Sequence, residues 1–157
     1  MDPQITIRPA RPEDQPALLH IMWQTILDTE SDRELLLANP DVVQVPVENL
    51  TPATACVAEI GGVAAGFAIV LLQPGGNAEL DGLFVDPPLQ RRGIGRALVA
   101  EARRLATAMG ATHLDVVAGE DALAFYRSVG FVEIGTAQTQ FRLVKLLRMA
   151  LASKSGA

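Results

Sequence analysis

The sequence has almost no cysteine, and this excludes two kinds of feature, disulfide bonds and cysteine-ligated metal sites. Cys56 is the single thiol among 157 residues, so the chain has no disulfide framework and no cysteine cluster for zinc. We expect no bound metal. A lone thiol is typical of a protein that works in a reducing compartment, and we therefore expect a cytoplasmic location.

The chain also lacks long hydrophobic runs and an excess of positive charge. No segment reaches the roughly 18 unbroken apolar residues that a membrane-spanning helix needs, and the opening stretch MDPQITIRPARPED lacks the apolar run of a signal peptide. The formal net charge is -5, from 13 Lys and Arg against 18 Asp and Glu. A protein with a net negative charge is repelled by nucleic acids and anionic membranes, so we expect it to bind neither.

The sequence does contain enough apolar residues for one core. Hydrophobic residues make up 49% of the chain, which excludes a disordered protein. A length of 157 residues fits a single domain of ordinary size. We predict one domain over residues 1–151 and a short polar tail, 152–157, that frays.

Hydrophobic periodicity predicts the element order β-α-α-β-β-β-α-β-α-β-β. A glycine pair at 61–62, between two apolar runs, predicts a hairpin, and residues 93–109 have helical spacing. Three antiparallel strands followed by β-α-β-α-β indicate an α/β (α+β) fold. Its sheet would be mixed, mostly antiparallel and twisted, with about seven strands flanked by about four helices. Three further segments are a predicted loop at 39–54 and predicted closing strands at 131–134 and 141–149.

A glycine pair beside three arginines marks the point where a long helix begins. The stretch QRRGIGR, residues 90–96, follows a predicted strand that ends at Val85. The first N–H groups of a helix have no acceptor four residues earlier, and glycine leaves the backbone open to a ligand. The amides of 92–96 therefore form a candidate anion site. The guanidinium groups at its rim would come from Arg91, Arg92 and Arg96.

Two familiar phosphate motifs do not fit this stretch. A P-loop requires lysine and a hydroxyl residue after its last glycine, whereas Arg96 and Ala97 follow Gly95. A dinucleotide-binding loop requires a third glycine where Leu98 stands, and it lies early in a parallel βαβ unit. The alternative to an anion site is that the glycines only form a tight turn between the strand and the helix and that the arginines are solvated.

The stretch QRRGIG resembles the acetyl-CoA pyrophosphate loop of the GCN5-related N-acetyltransferase (GNAT) family, whose signature is Gln/Arg-x-x-Gly-x-Gly/Ala. The strand LFVDP at 83–87 and the segment ALAFYRSVGF at 122–131 are similar to the family's flanking motifs, and IRPARPED at 7–14 is similar to a common family start. The resemblance covers most of the chain and implies the single-domain GNAT fold. One position departs: Gly119 stands where the family often has asparagine, which leaves one cofactor or backbone contact open.

The resemblance implies a reaction. An acetyl group would move from acetyl-CoA to a primary amine of a small molecule or peptide, by direct attack in a ternary complex. The N–H of Val85 would polarise the thioester carbonyl, and Tyr126 would give the departing thiolate a proton or a hydrogen bond. The cofactor-binding residues implied are Leu83, Phe84, Val85, Gln90, Arg91, Arg92, Gly93, Ile94, Gly95, Arg96, Gly119 and Tyr126.

Two acids precede the loop on the same strand. Glu79 and Asp81 are two residues apart and therefore share a face of the strand. Two carboxylates on one face are costly inside an apolar domain unless they meet a cavity or water. Close carboxylates also raise one pKa, which suits a general base near neutral pH. Both are candidate catalytic residues; a solvated strand edge and a water chain acting as base are the alternatives.

Other functions and partners remain open on the sequence alone. A non-catalytic acyl-CoA-binding regulatory module is the main alternative, and a nucleotide-dependent oxidoreductase is disfavoured by the missing third glycine. The acceptor amine carries no recognisable motif. Phe141, Leu143 and Val144 suggest sheet packing and a possible homodimer contact.

Overall fold

The structure, a computed structural model, describes residues 4–139 and 143–151. The strands are β1 Ile5–Pro9, β2 Ala55–Ile60, β3 Val63–Leu72, β4 Ala78–Val85, β5 His113–Ala118, β6 Val132–Gln138 and β7 Leu143–Ala150. The α-helices are α1 Gln15–Asp28, α2 Glu30–Ala38, α3 Ile94–Ala108 and α4 Leu123–Ser128. This is the predicted order of elements. The expected tail, 152–157, lies outside the described residues, as does Phe141.

The strands form one sheet in the order β1-β2-β3-β4-β5-β7-β6. β4 and β5 are parallel, whereas β1 with β2, β2 with β3, β5 with β7 and β6 with β7 pair antiparallel. The predicted mixed, mostly antiparallel sheet with about four helices is confirmed. The chain divides into two compact units: the described part of Met1–Ile69 with Gly82–Ala102, and Val70–Asp81 with the described part of Arg103–Ala157.

In the first unit, α3 packs on β3 at a glycine. A Cβ at Gly66 would stand 2.7 Å from the carbonyl oxygen of Phe84 and 3.1 Å from the Leu98 side chain. Cβ atoms do not approach a backbone oxygen this closely, so any other residue would push β4 or α3 away. The side chains of Ile94 and Leu98 are 1% and 0% exposed. Gly66 therefore lets the first turn of α3 lie directly on the sheet.

A charged cluster joins β1, β2 and the start of α1 in the same unit. The guanidinium of Arg8 donates to both carboxylate oxygens of Asp14, at 2.7 and 2.9 Å, and to Glu59 at 2.8 Å. The Asp14 carboxylate also accepts the backbone N–H of Arg11 at 2.8 Å. Hydrogen bonds from Arg8 hold the pKa of Asp14 below its usual range. The cluster orients the first helix relative to the strands.

In the second unit, β5 lies between β4 and β7, and its two faces differ. The residues of one face are buried: Leu114 and Val116 on β5, with Leu147 and Met149 on β7. The opposite face carries Asp115 and Val117 on β5, with Leu146 and Arg148 on β7. Because period-2 alternation separates these two sets, one face supplies core and the other carries the charged side chains.

The structure departs from the sequence interpretation in two places. The stretch 39–54 is not plain loop, because short 3-10 helices occur at Pro40–Val42 and Val47–Asn49. Val45 and Leu50, 2% and 1% exposed, anchor it. β6 runs to Gln138 rather than ending at 134, because its polar last residues pair with β7. No helix in the described ranges has both the length and the apolarity needed to cross a bilayer.

Candidate functional site

The loop between β4 and α3 carries a run of backbone N–H groups without acceptors. Gln90 donates its N–H to Pro87 at 3.2 Å, and Ala97 donates its N–H to Gly93 at 3.0 Å. Between these two, none of the six N–H groups of residues 91–96 has an acceptor within the described part of the chain. The loop therefore presents a cluster of unpaired donors at the electropositive end of a helix.

The backbone of this loop alternates in handedness. Arg91 and Gly93 have φ values of 65° and 85°, whereas Arg92 between them is not left-handed. Such alternation turns successive N–H groups toward one point and forms an anion-binding concavity. A left-handed conformation costs a non-glycine residue on the order of 1–2 kcal/mol, so Arg91 holds a strained conformation. A Cβ at Gly93 would meet no atom within 4 Å, which leaves the concavity open.

Side chains fix the loop on one side and supply charge on the other. The amide of Gln90 donates to the carbonyl of Val85 at 3.1 Å, which ties the loop to the end of β4. Arg91, Arg92 and Arg96 are exposed, and within residues 4–139 and 143–151 none of them forms an ion pair. Unpaired amides and free guanidinium groups fit the two phosphates of a pyrophosphate.

The end of β4 leads into the loop. Leu83, Phe84 and Val85 are half-buried. The Phe84 ring stacks on Phe67 with ring centroids 5.3 Å apart, and the N–H of Asp86 donates to Ala65 at 2.8 Å. The strand end is thus held by packing and by hydrogen bonding.

Tyr126 lies in the second unit, on α4. Its ring makes edge contacts with Phe125 and Phe131, with centroids 5.2 and 5.5 Å apart, and the side chain is 8% exposed. Its hydroxyl has no hydrogen-bond partner among the described residues, yet no fully buried polar side-chain atom there lacks one. The oxygen therefore reaches the surface. Burial raises the pKa of Tyr126 to about 12, so the phenol keeps its proton at neutral pH.

Three carboxylates meet where β4 pairs with β5. Glu79 lies opposite Asp115 in the parallel ladder, and Asp81 follows on the same face of β4. Burial raises the pKa of Glu79, and repulsion by Asp81 and Asp115 raises it further. Partial desolvation also raises the pKa of Asp81, although that side chain is exposed overall. The pKa of Glu79 is therefore shifted upward, in the direction that suits a general base.

Asp115 and Arg148 are partners that the sequence interpretation missed. Arg148 Nε donates to one carboxylate oxygen of Asp115 at 2.7 Å, and Nη2 donates to the other at 3.0 Å. The available signal was an acid in the middle of the apolar stretch HLDVVA. Gly119, the remaining predicted residue, caps the 3-10 helix Glu120–Ala122 and has no side chain to offer.

Comparison with known proteins places this geometry in a family. A model described as the acetyltransferase (GNAT) family matches residues 17–131. The chain is 38% identical over 90 residues to N-alpha-acetyltransferase RimI of Mycobacterium tuberculosis. That match spans 55% of this chain and 56% of the relative, so the chain covers little more than half of this curated relative's length.

Solved structures show the same fold. A GCN5-related N-acetyltransferase from Rhodopseudomonas palustris superposes with a TM-score of 0.74 at 24% identity, over 96% of this chain and 99% of that one. N-acetylglutamate synthase from Neisseria gonorrhoeae, complexed with coenzyme A and N-acetyl-glutamate, superposes with a TM-score of 0.71 at 17% identity. It is matched over 97% of this chain and 36% of that one.

The loop yields a direct prediction. Gly95→Val places a branched side chain among the unpaired amides, and we expect the affinity for coenzyme A to fall at least about tenfold, or 1.4 kcal/mol. Isothermal titration calorimetry measures the affinity, and circular dichroism checks the fold. Ala100→Val puts the same side chain on an exposed position of the same helix and should bind normally. Equal affinities in the two folded variants would contradict the assignment.

Proposed function

Because this chain belongs to the GCN5-related N-acetyltransferase (GNAT) family, we propose that it transfers an acetyl group from acetyl-CoA to a primary amine. The run of six unpaired N–H groups at the start of α3, with three exposed arginines beside it, carries the proposal. These groups match the charge and the hydrogen-bonding capacity of a pyrophosphate. In this proposal acetyl-CoA supplies the activated acetyl group as a thioester.

The proposal gives the chain's own residues separate tasks in holding the thioester. The amides of 92–96 bind the pyrophosphate, and the backbone of Leu83 to Val85 pairs with the pantetheine arm. The N–H of Val85 polarises the thioester carbonyl and stabilises the oxyanion that forms there. The side-chain amide of Gln90 donates to the carbonyl of Val85, and this hydrogen bond holds the loop against the end of β4.

Glu79 is proposed as the general base. A protonated amine has no lone pair, so its proton must leave before nitrogen attacks the thioester carbon. The Glu79 carboxylate accepts that proton through a chain of waters, because Val85, which holds the thioester carbonyl, lies six residues further along β4. No described residue pairs with it, so it is free to do so. Asp81 acts through charge, since it raises the pKa of Glu79.

Tyr126 is proposed as the donor to the leaving sulfur. When the new C–N bond has formed, the nitrogen gives its second proton to water, the C–S bond breaks, and the sulfur departs as a thiolate that then takes a proton from water. A pKa of about 12 lies well above the reference thiol value of about 8.5, which makes complete proton transfer from the phenol uphill. Tyr126 therefore stabilises the departing thiolate chiefly by hydrogen bonding.

The acceptor, the cellular location and the oligomeric state are also part of the proposal. The acceptor is a peptide or small-molecule amine: RimI is named for α-amines, and the synthase complex holds N-acetyl-glutamate. The cytoplasm stays our expected location. A homodimer stays an expectation as well; edge strand β6 leaves Val132 and Ile134, 65% and 47% exposed, for a second copy.

Removing the hydroxyl of Tyr126 tests its role. Tyr126→Phe keeps both ring contacts and should lower kcat roughly 10- to 100-fold, the cost of losing a hydrogen bond to a charged group, with little change in the KM for acetyl-CoA. Because the phenol titrates only near pH 12, the wild-type rate should show no basic limb from this residue below about pH 10. Steady-state kinetics of thiol release give both values. A wild-type kcat, in a reaction limited by chemistry, would leave Tyr126 a packing residue.

A pair of variants separates the two acids on β4. Glu79→Gln removes the base and should lower kcat/KM about 100-fold and abolish the acidic limb of the pH–rate profile. That limb reflects a pKa that is raised, so it should lie above the range of an ordinary glutamate. Asp81→Asn removes a repelling charge, so it should keep the limb and move it to lower pH.

The raised pKa of Glu79 also predicts the thermal stability of the Glu79→Gln variant, which serves as the folding control. A carboxyl whose folded pKa is raised opposes folding once pH exceeds its unfolded pKa, so Glu79→Gln should melt at or above the wild-type temperature at neutral pH. If Glu79→Gln keeps the acidic limb while folded, the base is elsewhere.

A further inference from the structure

The helices α1 and α2 present apolar side chains that the described part of the chain leaves uncovered. Leu27 on α1, Leu37 on α2 and Val42 in the 3-10 helix that follows are 40%, 51% and 40% exposed. Trp23 is half-buried, one helical turn before Leu27 and on the same face. Single exposed hydrophobics are ordinary, but these four come from residues 23–42, whose helices pack on one another. They are named the α1–α2 surface.

The helix α1 runs toward the edge of the sheet where β4 ends. β1 ends at Pro9, at the edge opposite to the β2–β3 turn. Asp86, which follows β4, donates its N–H to Ala65 near that turn, at 2.8 Å. α1 starts at the Pro9 edge and packs against the 3-10 helix Pro87–Leu89 at the other edge. All of these residues belong to the first unit, so the later turns of α1 approach the strand end proposed to hold the thioester.

The same stretch of chain carries the net negative charge of the protein. Residues 15–50 contain six acids and one arginine, a net charge of -5, which equals that of the whole chain. Three of these acids, Asp28, Glu34 and Asp41, are exposed. None of the three forms an ion pair within residues 4–139 and 143–151. The α1–α2 surface therefore combines exposed apolar side chains with unpaired negative charge.

One of these acids stands where it lowers the stability of its own helix. Asp28 is the last residue of α1, and the C-terminal end of a helix carries a partial negative charge that repels a carboxylate. The last turn of α1, all of it described, has no basic residue to offset that repulsion. An acid in this place fits a surface that meets a cation from outside the chain.

Charge and length decide which partner this surface fits. A second copy docked through the same surface would bring together two segments that each carry a net charge of -5, and nucleic acid and anionic lipid are repelled as well. A small monoamine would pair with one acid only. The 14 residues of α1 span about 21 Å, which an extended peptide of about six residues covers.

We propose that the α1–α2 surface docks a basic polypeptide segment with apolar side chains, and that this segment carries the amine that is acetylated. The inference rests on the proposed acetyl transfer. Apolar side chains of the segment cover Trp23, Leu27 and Leu37, and its cations pair with the acids nearby. The transfer itself is unchanged: the amine nitrogen gains the acetyl group, and coenzyme A leaves as the free thiol.

Peptide binding tests the docking without any reaction. Three peptides of about eight residues, free of tryptophan, each carry one α-amine and one lysine. The first contains arginine, leucine and phenylalanine; the second has glutamate for arginine, and the third has serine for leucine and phenylalanine. We expect calorimetry to show the first binding at least tenfold more tightly than the others at low salt. Its lead over the acidic peptide should shrink as added salt shortens the Debye length.

The emission of Trp23, the only tryptophan in the chain, reports where the peptide binds. We expect it to shift saturably, with the same midpoint as the calorimetric titration. Equal affinities for the three peptides would overturn the inference, and so would tight binding of the first peptide with the emission unchanged.

Acetylation of the same peptides tests whether the docked segment carries the acceptor. With acetyl-CoA, kcat/KM for the basic apolar peptide should exceed those for the two control peptides, spermidine and valine amide at least tenfold, and mass spectrometry assigns the product to the α-amine or to lysine. Faster transfer to a small amine, or no transfer to any of these compounds by a protein that binds acetyl-CoA, would overturn the inference. A protein that binds no acetyl-CoA contradicts the proposed function itself.

A matched pair of leucine variants locates the apolar part of the surface. Leu37→Gln keeps the side-chain length and the helix propensity but removes the apolar group. We expect it to weaken binding of the basic apolar peptide about tenfold. Leu72→Gln makes the same change at a leucine of similar exposure, 53%, at the end of β3 and outside the surface, and it should bind normally.

A second pair locates the charge. Asp28→Asn removes a carboxylate that opposes the end of α1, so it should melt at or above the wild-type temperature and yet bind the peptide about fivefold more weakly at low salt. Glu13→Gln removes one exposed charge just before the other end of the helix and should bind normally. Normal binding by folded Leu37→Gln or Asp28→Asn, or an equal loss in a control, would overturn the inference.

Discussion

The close approach of β3, β4 and α3 at Gly66 is the constraint on which the phosphate loop depends. The Phe84 carbonyl oxygen occupies the space beside Gly66 that a side chain would need, and Ile94 and Leu98 fill the other side. The first turn of α3 is held there, and its N–H groups have no helical carbonyl four residues earlier to accept from them. These N–H groups can therefore donate to water in the free protein and to phosphate oxygens when a ligand binds.

The charged residues are distributed unevenly, and their positions follow from the proposed roles in phosphate binding and proton transfer. The chain is acidic overall, yet three unpaired arginines stand within six residues at the helix start. The carboxylates cluster instead at the β4–β5 pairing, where Glu79 is kept without a partner while Asp115 is given one. An unpartnered acid with a raised pKa opposes folding at neutral pH, and the same property makes it a useful base.

Local features were predictable from the sequence and distant pairings were not. The free amides follow from two glycines at a helix start, and the shared face of Glu79 and Asp81 follows from their spacing. The ion pair between Asp115 and Arg148 joins residues 33 apart in the sequence, which no periodicity encodes. The added length of β6 depends on pairing with β7 rather than on its own polar residues. The fold was therefore more predictable than the long-range contacts of the site.

The central claim is that the amides of residues 92–96 bind the pyrophosphate of acetyl-CoA. Backbone amide NMR spectra recorded during titration with coenzyme A, and with pantetheine as the phosphate-free control, test it most directly. The account predicts that coenzyme A shifts these five signals downfield as their N–H groups gain charged acceptors, and that pantetheine leaves them in place. Saturable binding of coenzyme A with these signals unmoved would contradict it.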